Sequence, residues 1–322
     1  MILITGGLGF IGTHTARAVL DMGESCVLVQ RRPPELPGSL ADEAGRRVFA
    51  EQVDLTDLAA LLGIASRRKI TGIVHLSGSM PWPPSADEPV AGARKAIGSL
   101  LNVLEAAVRW EVPRVGIAST IGVYGGAVTV SPVAEETPLP MIAGPVIPAF
   151  KKIGELVGSY LASAAGLEVV NYRLSGIWGP LGRPRSVFMA APQLVHAAVS
   201  GTTPDLSALH APAYAGDGSD LCYVRDCARG IALLQLADRL SHATYNVASG
   251  RLTTNGEIAA AIRKAIPAAR IELPDGHGPD GEGVGFYLDI RRIQQDTDYT
   301  PTYDTERAVA DYIGWLRAGH ER

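Results

Sequence analysis

The sequence is poor in cysteine, with three such residues among 322. Cys26, Cys222 and Cys227 are odd in number and lie inside apolar segments, so we predict buried free thiols rather than disulfides or metal ligands. The seven histidines form no HExxH motif and no Cys/His cluster. These scarcities predict a chain without a disulfide framework and without a metal site.

Long apolar runs are also missing. No stretch of about 18 apolar residues is free of charge, which argues against a membrane partner. The opening residues MILITGG have the pattern of a strand and not of a signal peptide, so a cytoplasmic location is expected. The net charge of -4 and the scattered Lys and Arg residues provide no basic stripe for a nucleic acid. A small-molecule partner is therefore favoured.

The sequence does contain a regular alternation of strands and helices. MILIT is a predicted strand, GFIGTHTARAVLDMG a helix that ends near Gly23, and SCVLVQ a second strand; ITGIVHLSG and RVGIAST follow, with helices between them. This alternation is typical of an α/β fold with a doubly wound parallel sheet, the Rossmann fold. We predict a dinucleotide-binding domain at 1–175, to which the chain returns around 220–248, and a smaller, mainly substrate-binding lobe at 176–322.

The segment TGGLGFIG places Gly6, Gly9 and Gly12 between the first strand and the first helix. In such a turn the first glycine permits the tight bend, the second lets the backbone approach a pyrophosphate, and the third allows close packing of helix on strand. Phe10 and Ile11 open the helix, whose N-terminus faces the negative charge. The strand before this motif and the helix after it favour nucleotide binding over a merely structural turn.

The end of the second strand, VLVQRRPP, bears on the choice of cofactor. An acidic residue at this place would bind the adenosine ribose and repel a 2′-phosphate, but the chain has Gln30. Arg31 and Arg32 can pair with a 2′-phosphate through charge-assisted hydrogen bonds. We therefore predict NADP in preference to NAD. The alternative is that both arginines are ordinary solvated loop charges.

Several further segments occur in a characteristic order: TGGLGFIG, VDLTD, VHLSG, ASTIGVYGG, NYRLSGIWGP, YVRDCARG and YNVASG. In this order and spacing the chain resembles the extended short-chain dehydrogenase/reductase family, the NAD-dependent epimerase/dehydratase group, over nearly its whole length. The resemblance implies an enzyme with a nicotinamide cofactor. It places Asp54 and Leu55 at the adenine, and it places three more residues along the cofactor after the fourth strand, Leu76, Ser77 and Gly78.

The resemblance also implies catalytic residues. Thr120 matches the Ser/Thr of the family, which hydrogen-bonds the reacting oxygen. Lys151 matches the lysine that binds the nicotinamide ribose and lowers the pKa of a tyrosine four residues earlier. That tyrosine falls on Ile147, and a register based on Lys152 places Pro148 there instead. The active site is therefore predicted to be atypical, because no register supplies a phenol.

Three other departures from the residues of the resembled family narrow the range of expected reactions and substrates. The asparagine that the family carries in the preceding helix falls on Ala96. Ile121 and Gly122 follow Thr120 where dehydratases of the family carry acid and base residues, so elimination by that route is not expected. The chain also passes from Ser219 into the next strand without the arginine that clamps a substrate diphosphate in sugar-nucleotide enzymes of the family. A non-nucleotide substrate is favoured on this ground.

Residues that contact the substrate are expected in loops beyond the carboxyl ends of the strands. Met80 and Trp82 in MPWPP follow the fourth strand, although this segment could equally be a rigid surface loop. Tyr124 lies beside Thr120, with a packed aromatic as the alternative. The pocket residues predicted from the sequence are Met80, Trp82, Tyr124, Ile147, Ile177 and Trp178.

The main hypothesis is an NAD(P)-dependent oxidoreductase of the epimerase/dehydratase type that acts on an alcohol or carbonyl of a small, non-nucleotide substrate by an atypical proton path. One alternative is a sugar or sugar-nucleotide epimerase with a tightly held cofactor. Another is an NADP-binding protein with a non-redox catalytic or sensor role. The segments RKAIGSLLNVLEAAVRW and FKKIGELVGSYLASA match the two helices that form the dimer interface in the family, so a homodimer is expected.

Overall fold

The computed structural model describes residues 1–78, 88–126, 130–142, 144–279 and 285–320. Eleven strands lie in these ranges: β1 (Ile2–Thr5), β2 (Cys26–Gln30), β3 (Val48–Gln52), β4 (Gly72–His75), β5 (Arg114–Thr120), β6 (Glu168–Leu174), β7 (Gly176–Trp178), β8 (Gly218–Ser219), β9 (Leu221–Tyr223), β10 (Thr244–Val247) and β11 (Thr253–Thr254).

The same ranges contain nine α-helices: α1 (Phe10–Asp21), α2 (Leu58–Leu62), α3 (Pro89–Arg109), α4 (Val146–Ala165), α5 (Ala191–Ser200), α6 (Val224–Leu236), α7 (Asn255–Ala265), α8 (Arg291–Asp296) and α9 (Thr305–Arg317). Two 3-10 helices lie at Gly38–Glu43 and Ile121–Tyr124. Among the described helices, none is long and apolar enough to cross a membrane.

Seven of the strands form one sheet in the order β10-β6-β5-β4-β1-β2-β3, and each neighbouring pair is parallel. From β1 the chain moves outward to β2 and β3, and then crosses back to β4, β5 and β6 on the other side of β1. The order therefore reverses between β1 and β4, which is where folds of this class bind ligands at the carboxyl ends of the strands. The predicted doubly wound α/β fold is confirmed.

Both faces of the sheet are buried, as a parallel sheet requires. Successive residues of a strand point to opposite faces. In β1, Ile2 and Ile4 join one apolar cluster with Val19 of α1. Leu3, between them, joins a second cluster with Leu104 of α3. Helices therefore cover the sheet on both sides, with α1 and α6 on one face and α3 and α4 on the other.

A third apolar cluster lies in the C-terminal half, where α5, α7 and α9 pack on one another around Trp178. Its largest aliphatic members include Leu194, Ile258, Ile262 and Val309. The segment Thr244–Val247 belongs to the main sheet, because β10 pairs with β6. The domain boundary near residue 175 stays a prediction. Cys26, Cys222 and Cys227 are buried free thiols, as the sequence predicted.

Candidate active site

A cavity of about 1250 Å³ opens at the carboxyl ends of β1 to β4. Its described wall contains most of the residues predicted to bind the cofactor: Gly6, Gly9, Phe10, Arg31, Arg32, Asp54, Leu55, Ser77 and Gly78. The other cofactor candidates, Ile11, Gly12, Leu76 and Lys151, do not lie on that wall. The structure therefore brings segments from four strand ends together around one elongated space.

The glycine turn leaves a space for a ligand. Side chains at these positions would fill that space. Gly6 has a φ of +66°, which L side chains rarely adopt. A Cβ on Gly12 would lie 2.2 Å from the carbonyl oxygen of Gly6, so the third glycine is required for the helix to pack on the turn. Gly9 caps α1, and no side chain occupies the open N–H groups of the cap. This cradle fits the diphosphate of a dinucleotide.

Cations line the end of the cavity formed by β2, β3 and α3. Arg31, Arg32 and Lys95 are all on its wall, and none of the three side chains makes an ion pair with another described residue. Asp54 accepts hydrogen bonds from the backbone N–H of Thr56 at 3.0 Å and from its hydroxyl at 2.8 Å. These bonds, aided by the charges of Lys95 and Arg31, lower the pKa of Asp54. Sequence reasoning missed Lys95, which lies in a helix without any nucleotide motif.

A buried histidine supports the strand end beside the glycine turn. Thr5 Oγ1 lies 2.8 Å from His75 Nδ1, and the hydroxyl of Ser77 donates to the same Thr5 oxygen at 2.9 Å. Burial lowers the pKa of His75 to about 3, with a further contribution from the charge of Lys151. The imidazole is therefore neutral near pH 7 and holds the loop at Ser77. From the sequence, VHLSG could be recognised only as a family motif, which does not reveal that His75 and Ser77 both contact Thr5.

Thr120 and Lys151 are each hydrogen-bonded to backbone groups at or next to the end of β5. Thr120 Oγ1 accepts from the backbone N–H of Gly122 at 3.2 Å, and Lys151 Nζ donates to the carbonyl oxygen of Ala118 at 2.6 Å. Lys152 faces away, since its Nζ donates to the carbonyl oxygen of Ile142 at 3.2 Å and also to that of Pro140. The register that uses Lys151 is thus the one in which the lysine reaches β5.

Ile147 lies one turn before Lys151 in α4 and is half-buried. The next residue, Pro148, packs so closely on the loop after β5 that a Cβ on Gly122 would lie 2.9 Å from its Cγ. Thr120, Ile147 and Lys151 are absent from the described cavity wall, whereas Val146 and Phe150 of α4 are on it. The described α4 side of the cavity is therefore apolar.

Burial lowers the pKa of Lys151 to about 8, although the nearby carboxylate of Glu155 opposes this shift. The side chain is 9% exposed, and its ammonium group contacts the Ala118 carbonyl rather than solvent. The lysine is mostly protonated at pH 7 yet can lose its proton within about one pH unit above that.

A buried ionic network stands behind these residues. Arg173 Nη2 lies 2.7 Å from Glu155 Oε2, and both side chains are less than one-tenth exposed. The hydroxyl of Ser119 donates to Glu155 at 2.5 Å. Glu155 lies one turn after Lys151 and Ser119 immediately precedes Thr120, so the network fixes α4 against β5. In the sequence this network is indicated only by two charged residues inside apolar segments, Glu155 in KKIGELVG and Arg173 in VVNYRLSG.

Two predicted pocket residues are buried and do not lie on the described wall of the large cavity. Tyr124 is fully buried; its hydroxyl donates to Asn246 at 2.8 Å and accepts from Arg173 at 2.9 Å. Burial raises its pKa to about 12, so it is a packed aromatic and not a proton donor to substrate. Trp178 is 2% exposed and packs edge-on against Tyr223, with ring centres 5.5 Å apart.

The remaining pocket predictions divide as follows. Ile177 is half-buried and packs against the core of the main sheet, away from the described cavity wall. Met80 and Trp82 lie outside the described residues. Leu181, in the loop after β7, does line the cavity together with Phe150, and sequence reasoning had not selected either residue.

The geometry agrees with a match to a known family. The model of the NAD dependent epimerase/dehydratase family covers residues 2–248. This span is more than half of the chain. The chain therefore belongs to this family of enzymes.

Similar proteins cover the chain almost completely. The UDP-glucose 4-epimerase 2 of Arabidopsis thaliana is 27% identical over 336 residues, which are 98% of this chain and 94% of the relative. The UDP-glucose 4-epimerase of Thermotoga maritima with UDP-glucose superposes with a TM-score of 0.79 at 21% identity, over 99% of each chain. The UDP-glucose 4-epimerase of Bifidobacterium longum, in complex with NAD+ and UDP, superposes with a TM-score of 0.76 at 21% identity, over 98% of each chain. At these identities the structures show the same fold.

Proposed function

We propose that the chain is an NADP-preferring epimerase that acts on a sugar or a sugar nucleotide and retains its cofactor. The observation that carries this proposal is the elongated cavity, which runs from the glycine cradle to a cationic end at Arg31, Arg32 and Lys95. Its shape and charge suit a dinucleotide. The family and the UDP-glucose epimerases among its relatives favour a sugar substrate over the non-nucleotide alcohol or carbonyl expected from the sequence alone.

The preference for NADP rests on charge. Arg31, Arg32 and Lys95 provide three cations without described ion-pair partners, and the side-chain amide of Gln30 donates to the carbonyl oxygen of Pro33 at 3.0 Å. A 2′-phosphate placed here gains charge-assisted hydrogen bonds and meets no carboxylate at position 30. The B. longum epimerase is in complex with NAD+, so the preference proposed here distinguishes this chain from that neighbour.

Dehydration is the less suitable of the two reactions that give the family its name. Ile121 and Gly122 follow Thr120, and neither side chain can move a proton. Asp220, next to the position where sugar-nucleotide enzymes of the resembled family carry an arginine, is fully buried and accepts hydrogen bonds from Ser249. A substrate diphosphate must therefore find its cationic partner elsewhere on the C-terminal side.

The chain must supply positioning and proton transfer without a phenol at residue 147. A bound nicotinamide provides the hydride acceptor and donor. We assign to the Thr120 hydroxyl the orientation of the reacting oxygen of the sugar, the role that the resemblance to the family implies. We assign the proton transfer to Lys151, because its pKa near 8 allows it to release and take up a proton close to neutral pH. Glu155 and Ser119 hold this pair in place.

The proposal is tested on the purified protein with UDP-sugars and free sugars. Cofactor released by denaturation should be NADP, and at least one sugar should be interconverted with its epimer without added cofactor. Lys151→Met should abolish interconversion, whereas Lys152→Met should retain it, because Lys152 donates to loop carbonyls away from Thr120. A protein that holds no dinucleotide and converts no sugar contradicts the proposal.

A second candidate function is favoured by the apolar α4 side of the site. Ile147 and Ala96 stand where the resembled family has a tyrosine and an asparagine, which suits a dinucleotide-binding protein with a non-redox or sensor role. Under this alternative NADPH binds, but Thr120→Val and Lys151→Met leave the biological function of the chain unchanged.

We also propose a homodimer. Leu101 and Val108 on α3, and Leu156 and Tyr160 on α4, are large apolar residues that remain exposed, and Tyr160 is 69% exposed. The two helices pack side by side, so their exposed faces form one surface. A second copy that presents the same helices would bury it through a symmetric contact.

A further inference from the structure

Leu181 has a backbone conformation that leucine rarely adopts. Its φ of +67° lies in the left-handed region, which is an outlier for a bulky side chain. The residue is third in the turn 179–182, which a 3.1 Å hydrogen bond closes from the N–H of Gly182 to the carbonyl oxygen of Gly179. Turns with proline second and a positive φ third ordinarily carry glycine or asparagine third. The chain therefore has a strained leucine where glycine would be unstrained.

Helix α1 holds this turn in place. His14 Nε2 lies at hydrogen-bond distance, 3.0 Å, from the carbonyl oxygen of Pro180. At the end of the turn, a Cβ on Gly182 would lie 3.2 Å from Cζ of Phe10. Backbone strain persists only where the surrounding structure fixes it, and such residues cluster at ligand sites. The conformation of Leu181 is therefore imposed by its neighbours.

The side chain of Leu181 does not take part in a core. It is half-buried, and none of the apolar clusters formed by described residues includes it or has it packed against a member. It lines the large cavity instead. The other described residues of that wall all lie within 6–150, so Leu181 alone among them comes from the chain after α4. It therefore bounds the cavity from a part of the chain separate from the strand ends.

These positions indicate what the leucine contacts. Core packing does not offset its strain, so a contact made in the cavity is the remaining reason for an apolar side chain at this place. Such a side chain forms no hydrogen bond and contributes by packing on carbon atoms and excluding water. In a dinucleotide these carbon atoms belong to the rings and the riboses. The contact is therefore with an apolar surface of the cofactor and not with its phosphates.

We propose that Leu181 is a cofactor-retaining residue, whose side chain packs on the bound dinucleotide and slows its release. This inference rests on the proposed function, in which the chain retains its cofactor, and it names a residue responsible for the retention. Leu181→Gly removes the side chain and also the strain of the positive φ. The loss should appear in the rate of cofactor release and not in the stability of the unliganded protein.

The test measures release directly. Protein stripped of its cofactor and reloaded with NADPH is mixed with excess NADP+, and the decay of NADPH fluorescence is followed. Leu181→Gly should release NADPH about tenfold faster than the wild type or more, as expected for the loss of the contacts of a buried leucine. Association should change much less, because contacts made in the complex chiefly affect dissociation.

Two further substitutions separate an apolar contact from the volume of the side chain. Leu181→Asn keeps a side chain that tolerates a positive φ but is polar, and it should release NADPH as fast as Leu181→Gly. Leu181→Met keeps an apolar side chain of similar volume and should retain slow release. Fast release in the methionine variant, or slow release in the asparagine variant, would contradict the inference.

Glu111→Gly is the matched control for the backbone. Glu111 also has a positive φ, of +53°, but it is exposed and precedes β5, at the edge of the sheet opposite the cavity. The two glycine variants should have similar Tm values without ligand, and Glu111→Gly should release NADPH at the wild-type rate.

The outcomes distinguish this inference from the proposed function. Equal release by the wild type and Leu181→Gly overturns the inference alone. It is also overturned if Leu181→Gly has a clearly lower Tm than Glu111→Gly, which would show that the leucine packs in the unliganded fold, or if both glycine variants release NADPH equally fast. A wild-type protein that binds no dinucleotide overturns the proposed function and the inference with it.

Discussion

The ammonium group of Lys151 donates a 2.6 Å hydrogen bond to the carbonyl oxygen of Ala118, two residues before Thr120. This bond joins the first turns of α4 to the end of β5. With Ile147 one turn earlier, the lysine has no phenol to assist. It is instead a buried charge that donates to a carbonyl group, with its pKa lowered by burial and raised in part by the charge of the Glu155 carboxylate, and several properties of the protein should follow from that position.

Lys151→Met should make the unliganded protein more stable near neutral pH and should weaken cofactor binding. Burial lowers the pKa of Lys151 from 10.5 to about 8, so the unfolded chain binds more protons than the folded one between these values. Wild-type stability should therefore rise with pH across this window. The advantage of the methionine variant should shrink over the same range, as measured by urea unfolding at pH 7 and 10.

The opposite result would be a Lys151→Met variant that is less stable than the wild type at pH 7, with a difference in the free energy of unfolding that does not depend on pH. This result would show that Lys151 is a stabilising ion-pair residue. Lys152→Met serves as the control for loss of a charge from α4, because its ammonium group contacts loop carbonyls instead of β5.

The positive charges that follow β2 should determine the relative affinity of the protein for NADPH and NADH. NADPH should bind at least about tenfold more tightly than NADH, since charge-assisted contacts contribute about 1.5–3 kcal/mol. Arg31→Ala combined with Arg32→Ala should remove most of this preference with little effect on NADH. Lys95→Met should reduce it further, as it removes the third cation on the same wall. Calorimetry that gives equal affinities in the wild type would reject the assignment.

The buried pair of Glu155 and Arg173 should matter far more for stability than an exposed pair. Glu155→Gln leaves the Arg173 charge without its partner in the core and should cost about 3–5 kcal/mol. Asp205→Asn breaks the pair with Arg185, in which both side chains are more than half exposed, and should cost at most about 1 kcal/mol. Similar small losses in both variants, measured by urea unfolding, would mean that the network is not needed to hold α4 against β5.

The exposed faces of α3 and α4 should hold two copies together. Leu156→Glu with Tyr160→Glu places two carboxylates on this surface and should convert a dimer to a monomer in sedimentation experiments. Met22→Glu, a similar change at an exposed apolar residue after α1, should leave the dimer intact. A wild-type protein that sediments as a monomer at micromolar concentration would contradict the proposed assembly.

The fold and the glycine cradle could be predicted because local patterns specify them. The continuous apolar strands and the spacing of Gly6, Gly9 and Gly12 depend on residues close in sequence. Tyr124 could not be placed in this way, because its burial depends on Asn246 and Arg173, which come from distant strands. For the same reason Lys95 could not be placed at the cavity from the sequence.

The site itself was only partly predictable. The match of Thr120 and Lys151 to a family pattern predicted a catalytic pair, and the structure separates Lys151 from Lys152, because adjacent residues on a helix point about 100° apart. The structure shows that only the first reaches β5. The residues of the C-terminal half that contact a substrate could not be identified from the sequence. Their positions depend on loop packing, which neither periodicity nor composition predicts.

The movement of a deuterium label from a sugar carbon to the retained nicotinamide tests directly whether the chain carries out hydride transfer. The account predicts that a labelled sugar or sugar nucleotide transfers deuterium to the NADP+ of the wild-type protein, seen as labelled NADPH when the reaction is quenched before the label returns to the sugar. It predicts a loss of about 10²- to 10⁴-fold in Lys151→Met, as expected for general acid-base help, and reduced transfer with nearly intact cofactor affinity in Thr120→Val. A wild-type protein that holds NADP+ but takes deuterium from no sugar tested would contradict the account and favour the non-redox alternative.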